Sequence, residues 1–259
     1  MMSQNENAVP SFRPPSGADF RAALSAGWAD FRANPLPDLI FASFFVIAGL
    51  AMAWITYVTG HTFWLILAVM GFPLIGTLAA VGFYELSRRS HRGEPAGFGS
   101  VFAQVWRQRG GQLPWLSAII IVTFMFWFFL GHMIFALFMG LSTLTNVSSS
   151  LEVYLTSNGL MMLAVGSAVG AVFATILYMI TVLSIPMLLD RELDFVTAMI
   201  ASFSYVRDNF PVMIGWGIFI AVLTFVAMVP WFLGLLLVLP LLGHASWHLY
   251  RLICEDGPS

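Results

Sequence analysis

Two histidines, His244 and His248, stand four positions apart in the string LPLLGHASWHLYRL. On a helix that spacing puts both imidazoles on one face, an arrangement that can take a metal ion or a haem iron. The string reads His-Ala-Ser-Trp-His, without the glutamate that a zinc protease carries between its two ligands. No second pair of ligands is evident. The plainer reading is a pair of interfacial histidines, hydrogen-bonded near a membrane surface. His132 is the one titratable side chain expected near the middle of a crossing. An ionisable group there is a functional candidate by default, although a neutral imidazole can simply bond a facing serine or carbonyl. His132, His244 and His248 are therefore the weak candidates for cofactor binding. No catalytic residue, metal site or cofactor is the primary expectation, with haem as the alternative.

Other reactive types carry less. The lone Cys254 cannot form an internal disulfide or a cysteine-based zinc site. Asp190, Glu192 and Asp194 alternate in DRELD; they suit the positive end of the next helix better than a cation site. No nucleotide loop, serine elbow or membrane-protease dyad is present.

The elements that hold these residues follow from charge and hydropathy. Of 259 residues, 59% are hydrophobic and 9% charged, against about 25% charged in an ordinary soluble domain. A soluble fold could not cover its surface with so few polar groups, so the solvent for the excess is lipid. A net charge of -2 implies no nucleic-acid partner. Positions 39–84 and 209–250 carry no charge, and 110–189 carry only Glu152. A crossing needs about 20 apolar residues, so each run holds two. The expected spans are about 37–58, 62–86, 114–141, 159–188, 211–229 and 231–250. All eleven basic residues are arginines, and all fall outside the outward turns. The positive-inside rule then places both termini in the cytoplasm. Trp54, Trp64 and Trp231 fall near the outer interface, and Trp28, Trp106, Trp115 and Trp247 near the inner one, as an aromatic belt. The fold class is all-α: a polytopic bundle of six transmembrane helices. The N-terminal residues have no basic segment followed by an apolar one, so no signal peptide is expected. Residues 1–17 read as a disordered cytoplasmic tail, 18–252 as one membrane domain and 253–259 as a second tail.

An amphipathic stretch ending near a proline precedes each helix pair: Ala22–Pro35, Ser100–Pro114 and Val196–Pro211. The proline suits the first turn of the next helix, where a missing N–H costs little. Short likenesses at the ends of the pairs, such as Phe72-Pro73-Leu74-Ile75-Gly76 and Leu239-Pro240-Leu241-Leu242-Gly243, complete three parallel repeats, about 18–92, 98–192 and 194–252. Arg32, Arg88, Arg89, Arg92, Arg107 and Arg207 are expected to reach anionic headgroups from these interfacial segments. Gly166, Gly170 and Ala174 form a small-residue stripe suited to close helix packing.

The strings GWADFRANPLPDLIF, GFYELSRRSHRGEP, IPMLLDRELDFVTAMIASFSYVRDNFP and LPLLGHASWHLYRL resemble the domain of unknown function 2189 family over about residues 18–252. That resemblance implies a bacterial integral membrane protein, and some members carry a label linking them to cytochrome c oxidase. It supplies no catalytic residues. A catalytic oxidase subunit is excluded by the histidines, five in all, with His61 and His91 in loops.

The expected function is a non-catalytic accessory, assembly or scaffold component of an inner-membrane complex, with the lipid bilayer and complex subunits as partners. A carrier or channel for a lipid-like or neutral solute is the alternative, suggested by prolines inside helices, and a haem or metal protein is the second. With no carboxylate or arginine deep in the bilayer, an ion-coupled pump is not expected.

Overall fold

The computed structural model describes residues 8–59, 80–94, 99, 111–140 and 155–255. Its helices are α1 (Gly17–Ala33), α2 (Pro35–Thr59), α3 (80–92), α4 (Leu113–Met139), α5 (Ser157–Thr181), α6 (Ser184–Asp190), α7 (Phe195–Asp208), α8 (Phe210–Met228) and α9 (Leu235–Ile253). The β contact among the described residues is one isolated bridge, Phe12 to Cys254. The all-α expectation holds in that form.

Four stretches among the described residues are long and apolar enough to cross a membrane: Pro35–Thr59, Leu113–Phe138, Ser157–Asp190 and Phe210–Met228. At about 1.5 Å per residue, 25 residues cover the roughly 30 Å of hydrocarbon. Most of the expected span 62–86 lies outside the described residues, as do Trp64, Trp106, Arg107 and most of the stretch Ser100–Pro114. The last expected span corresponds to α9, whose second half is too polar to meet the same standard.

Local sequence explains the helix ends. Prolines occupy the first turns of α2, α4 and α8. The Thr156 hydroxyl accepts the Gly159 N–H at the start of α5, and Asp194 accepts the Thr197 N–H at the start of α7. That is the capping role expected of the DRELD string. The long apolar helix breaks at Val182–Leu183, between α5 and α6. Ser202 on α7 bridges the break: its hydroxyl donates to Met179 O at 2.7 Å and accepts the Leu183 N–H at 3.2 Å. Ser202 is fully buried, so Ser202→Ala strands a buried N–H and carbonyl. The expected cost is roughly 1–3 kcal/mol, read as a lower thermal midpoint of the solubilised protein.

The helices are unevenly buried. α4 and α5 pack mainly on each other and expose Val122, Phe126, Phe129, Met133, Leu137 and Val172. α1 lies along α9, and the main core gathers at that end of the molecule from Ala23, Tyr84, Leu183, Met187, Tyr205, Trp247 and Tyr250. Trp247 is only 2% exposed. It belongs to this core, beside the rings of Tyr84 of α3 and Tyr250.

The N-terminal segment differs from the expected tail. From residue 8 it is described, and it is pinned to the other terminus. Arg13 N–H donates to Ile253 O and Glu255 N–H to Ser11 O, both at 2.9 Å. The Phe12 ring edges onto Tyr205 and Tyr250. Arg13 grips Asp19 through two bonds of 2.9 and 2.6 Å, and its guanidinium holds the Asp19 carboxyl well below the usual carboxylate range. One aromatic anchor and one forked ion pair are enough to order a polar, proline-bearing segment.

Candidate functional site

The polar residues that share a face in the sequence meet on the α1 side of the molecule. α1 can lie close against α9 because small residues line the contact. A Cβ on Gly27 would stand 2.7 Å from Ala245 N and 3.0 Å from Leu241 O, and Ala23 and Ala245 are fully buried. That approach brings Asp30 of α1 to His248, at 2.8 Å between Oδ2 and Nε2. One turn earlier on α9, His244 Nε2 lies 3.0 Å from both carboxylate oxygens of Asp38, in the first turn of α2. α3 inserts Ser87 between them. Its hydroxyl lies 2.7 Å from Asp30 Oδ2 and 2.7 Å from His244 Nδ1. The result is one continuous chain, Asp38–His244–Ser87–Asp30–His248, drawn from four helices. His244 is 1% exposed and Asp38 2%. Phe83 closes over His244, with ring centroids 5.9 Å apart.

A second charged knot lies beside it on α3. Glu85 is fully buried and accepts from Arg88 at 2.8 and 3.1 Å and from Arg89 at 2.7 Å. Arg88 also donates to Leu189 O. A buried carboxylate between two guanidiniums is a structural tie.

The Asp30 carboxyl lies below the ordinary carboxylate range. Burial pushes it up, but bonds from His248 and Ser87 and the nearness of both imidazoles more than offset that. Ser87, His244 and Asp38 together have the composition of a hydrolytic triad. The serine faces Nδ1 and the aspartate Nε2, however, and the hydroxyl is fully buried and shared with a second carboxylate. An acyl substrate has no approach to it.

The expected site residues separate accordingly. His244 and His248 are brought together with acidic partners, so both ring nitrogens of His244 are engaged and a haem iron would have to displace Asp38 or Ser87. Among the described residues no group of three or more histidine, cysteine, aspartate or glutamate side chains has the placement of a metal site. His132 lies apart on α4, Nδ1 2.9 Å from the Phe128 carbonyl of its own helix. Arg88 and Arg89 turn inward to Glu85, whereas Arg32, Arg92 and Arg207 are exposed and Arg207 pairs with Asp208. In the small-residue stripe, a Cβ on Gly170 would meet Trp127 Nε1 at 3.1 Å, a Cβ on Gly166 would meet open space, and Ala174 is exposed.

Asp30, Asp38, Ser87 and Glu85 were not singled out from sequence. Their one signal is position: each is a polar residue next to a long apolar run, on the same side of the expected membrane as the histidine pair.

Residues 65–190 match the family model described as Predicted integral membrane protein (DUF2189). The match covers just under half of the chain, narrower than the expected 18–252, and runs from before α3 through α6. Ser87, Glu85, Arg88 and Arg89 fall inside it, whereas Asp30, Asp38, His244 and His248 fall outside. No curated protein and no solved structure matches the chain. The protein is an integral membrane protein with several apolar helices.

Proposed function

We propose that this protein is a non-catalytic accessory, assembly or scaffold component of a bacterial inner-membrane complex, with six crossings in three parallel repeats and both termini in the cytoplasm. One observation carries the reading. Asp38, His244, Ser87, Asp30 and His248 are turned inward and bonded to one another, while α4 offers a broad apolar face built from Phe126, Phe129, Met133 and Leu137. Such a protein interacts through shape and apolar contact. Residues 12 and 254 lie side by side, so an even number of crossings separates them, as the six proposed are. Arg32, Arg92 and Arg207 remain exposed for anionic headgroups. The link to respiration, of cytochrome c oxidase type, rests on the family resemblance alone.

The test is a mild-detergent pull-down of the tagged chain from its native membrane, read by mass spectrometry. Stoichiometric recovery of the subunits of one complex is the expected result. Recovery of this chain by itself overturns the reading and favours solute transport.

A further inference from the structure

The chain Asp38–His244–Ser87–Asp30–His248, buried at its Asp38 end, contains four contacts at hydrogen-bond distance: 3.0, 2.7, 2.7 and 2.8 Å in that order. Each needs one hydrogen between its two heteroatoms. In their ordinary forms at neutral pH, two ionised carboxylates bring none, the serine brings one and each neutral imidazole brings one. Three hydrogens cannot serve four contacts. If Ser87 donates to Asp30, then His244 must donate from Nδ1, and its bare Nε2 faces the Asp38 carboxylate. If Ser87 donates to His244, its oxygen and Asp30 face each other with none. Buried lone pairs in opposition are costly.

We infer that this chain is a proton-binding site that holds one proton beyond the ordinary forms of its residues, and that this proton latches α2 to α9. The extra proton sits on the Asp38–His244 pair, as a carboxylic acid facing an imidazole or as a carboxylate facing an imidazolium. Both descriptions have the same count and a net charge of minus one over the five residues. The depressed Asp30 carboxyl agrees with placing it at the far end.

The surrounding charges point the same way. α1 contributes Asp30 and α2 contributes Asp38. α3 contributes Glu85, Arg88 and Arg89, with His91 6.0 Å from His248 between ring centroids. α9 contributes His244 and His248, while its Arg251 turns to Asp190. Glu85 and Glu94 together balance Arg88 and Arg89, so that group leaves no positive charge over for the chain. Without the extra proton the chain keeps two uncompensated negative charges, and with it one.

Above about pH 6.5, the ordinary imidazole range, the unfolded chain lacks this proton and the folded chain keeps it. The native state then binds more protons than the unfolded state, so stability falls as pH rises, by up to about tenfold in the folding equilibrium per pH unit. The decline ends where the folded chain also loses the proton and the contact between α2 and α9 loosens.

The experiment uses the full chain in nanodiscs, with nitrogen-15 in its histidines and infrared spectra of its carboxyl groups. At neutral pH the expected result is either one imidazole protonated on both nitrogens or one protonated buried carboxyl. Asp38→Asn abolishes this signal, because the amide can donate to a neutral His244. Ser87→Ala also abolishes it, because two neutral imidazoles serve the two contacts that remain. Both variants should also lose the decline in stability above neutral pH. Wild-type histidines all singly protonated with every carboxyl ionised would overturn the proposal, without reference to any variant. So would a signal unchanged in both variants.

Discussion

Replacing Glu85 by glutamine is expected to destabilise the folded chain by about 3–5 kcal/mol, the cost of leaving a buried charge without its partner. Glu85 is fully buried, and Arg88 and Arg89 have side chains only 16% and 14% exposed. Neither arginine can swing fully into water without leaving α3's packing, and a neutral amide offers one acceptor oxygen where two guanidiniums need charge. The thermal midpoint, followed by tryptophan fluorescence in detergent, should drop by on the order of 10 °C. Asp208→Asn is the matched control. That pair with Arg207 is more than half exposed on both sides, and exposed pairs contribute about 0–1 kcal/mol. Equal drops in the two variants would show that Glu85 is solvated, and the buried charged layer would then not exist as described.

The second large effect concerns how closely α1 approaches α9. Gly27→Val places a branched side chain where even a Cβ stands 2.7 Å from Ala245 N and 3.0 Å from Leu241 O. Both neighbours are backbone of a helix already packed against α2 and α8, so no rotamer change relieves the clash. Overpacking of this kind costs about 1–3 kcal/mol. Separation also breaks the Asp30–His248 contact, so the loss should exceed the packing term alone. Cys254, the sole cysteine, is a built-in reporter because it pairs with Phe12 just ahead of α1. Its rate of maleimide labelling should rise in Gly27→Val. Gly166→Ala should leave that rate unchanged, since a Cβ there meets open space. Its helix propensity improves by up to about 1 kcal/mol. If Gly166→Ala instead lowered stability in the native membrane but not in detergent, the small-residue stripe would have a partner there.

The sequence by itself determined the solvent and the secondary structure. Uncharged, apolar runs such as 209–250 suit helices in lipid, where a helix satisfies every backbone group within its own segment. Pro35, Pro114 and Pro211 marked the helix starts, and Asp194 marked a cap, because these effects act within one turn. The histidine pair was legible as a shared face for the same reason.

Only the tertiary structure decided what those residues face. The partners of His244 and His248 come from α1, α2 and α3, and Asp38 stands 206 positions from His244. No local spacing rule links residues that far apart; the glycine and alanine contact between α1 and α9 does. The same distance effect misplaced Trp247, whose amphipathic ring fits an interface equally well until Tyr84 of α3 packs beside it. It also hid the roles of Arg88 and Arg89. A basic cluster beside a membrane reads as free charge until a buried carboxylate one turn away on the same helix turns out to face inward. A helix's own turns are set by its neighbours in sequence, but burial and pairing are set by whichever other helix closes over it.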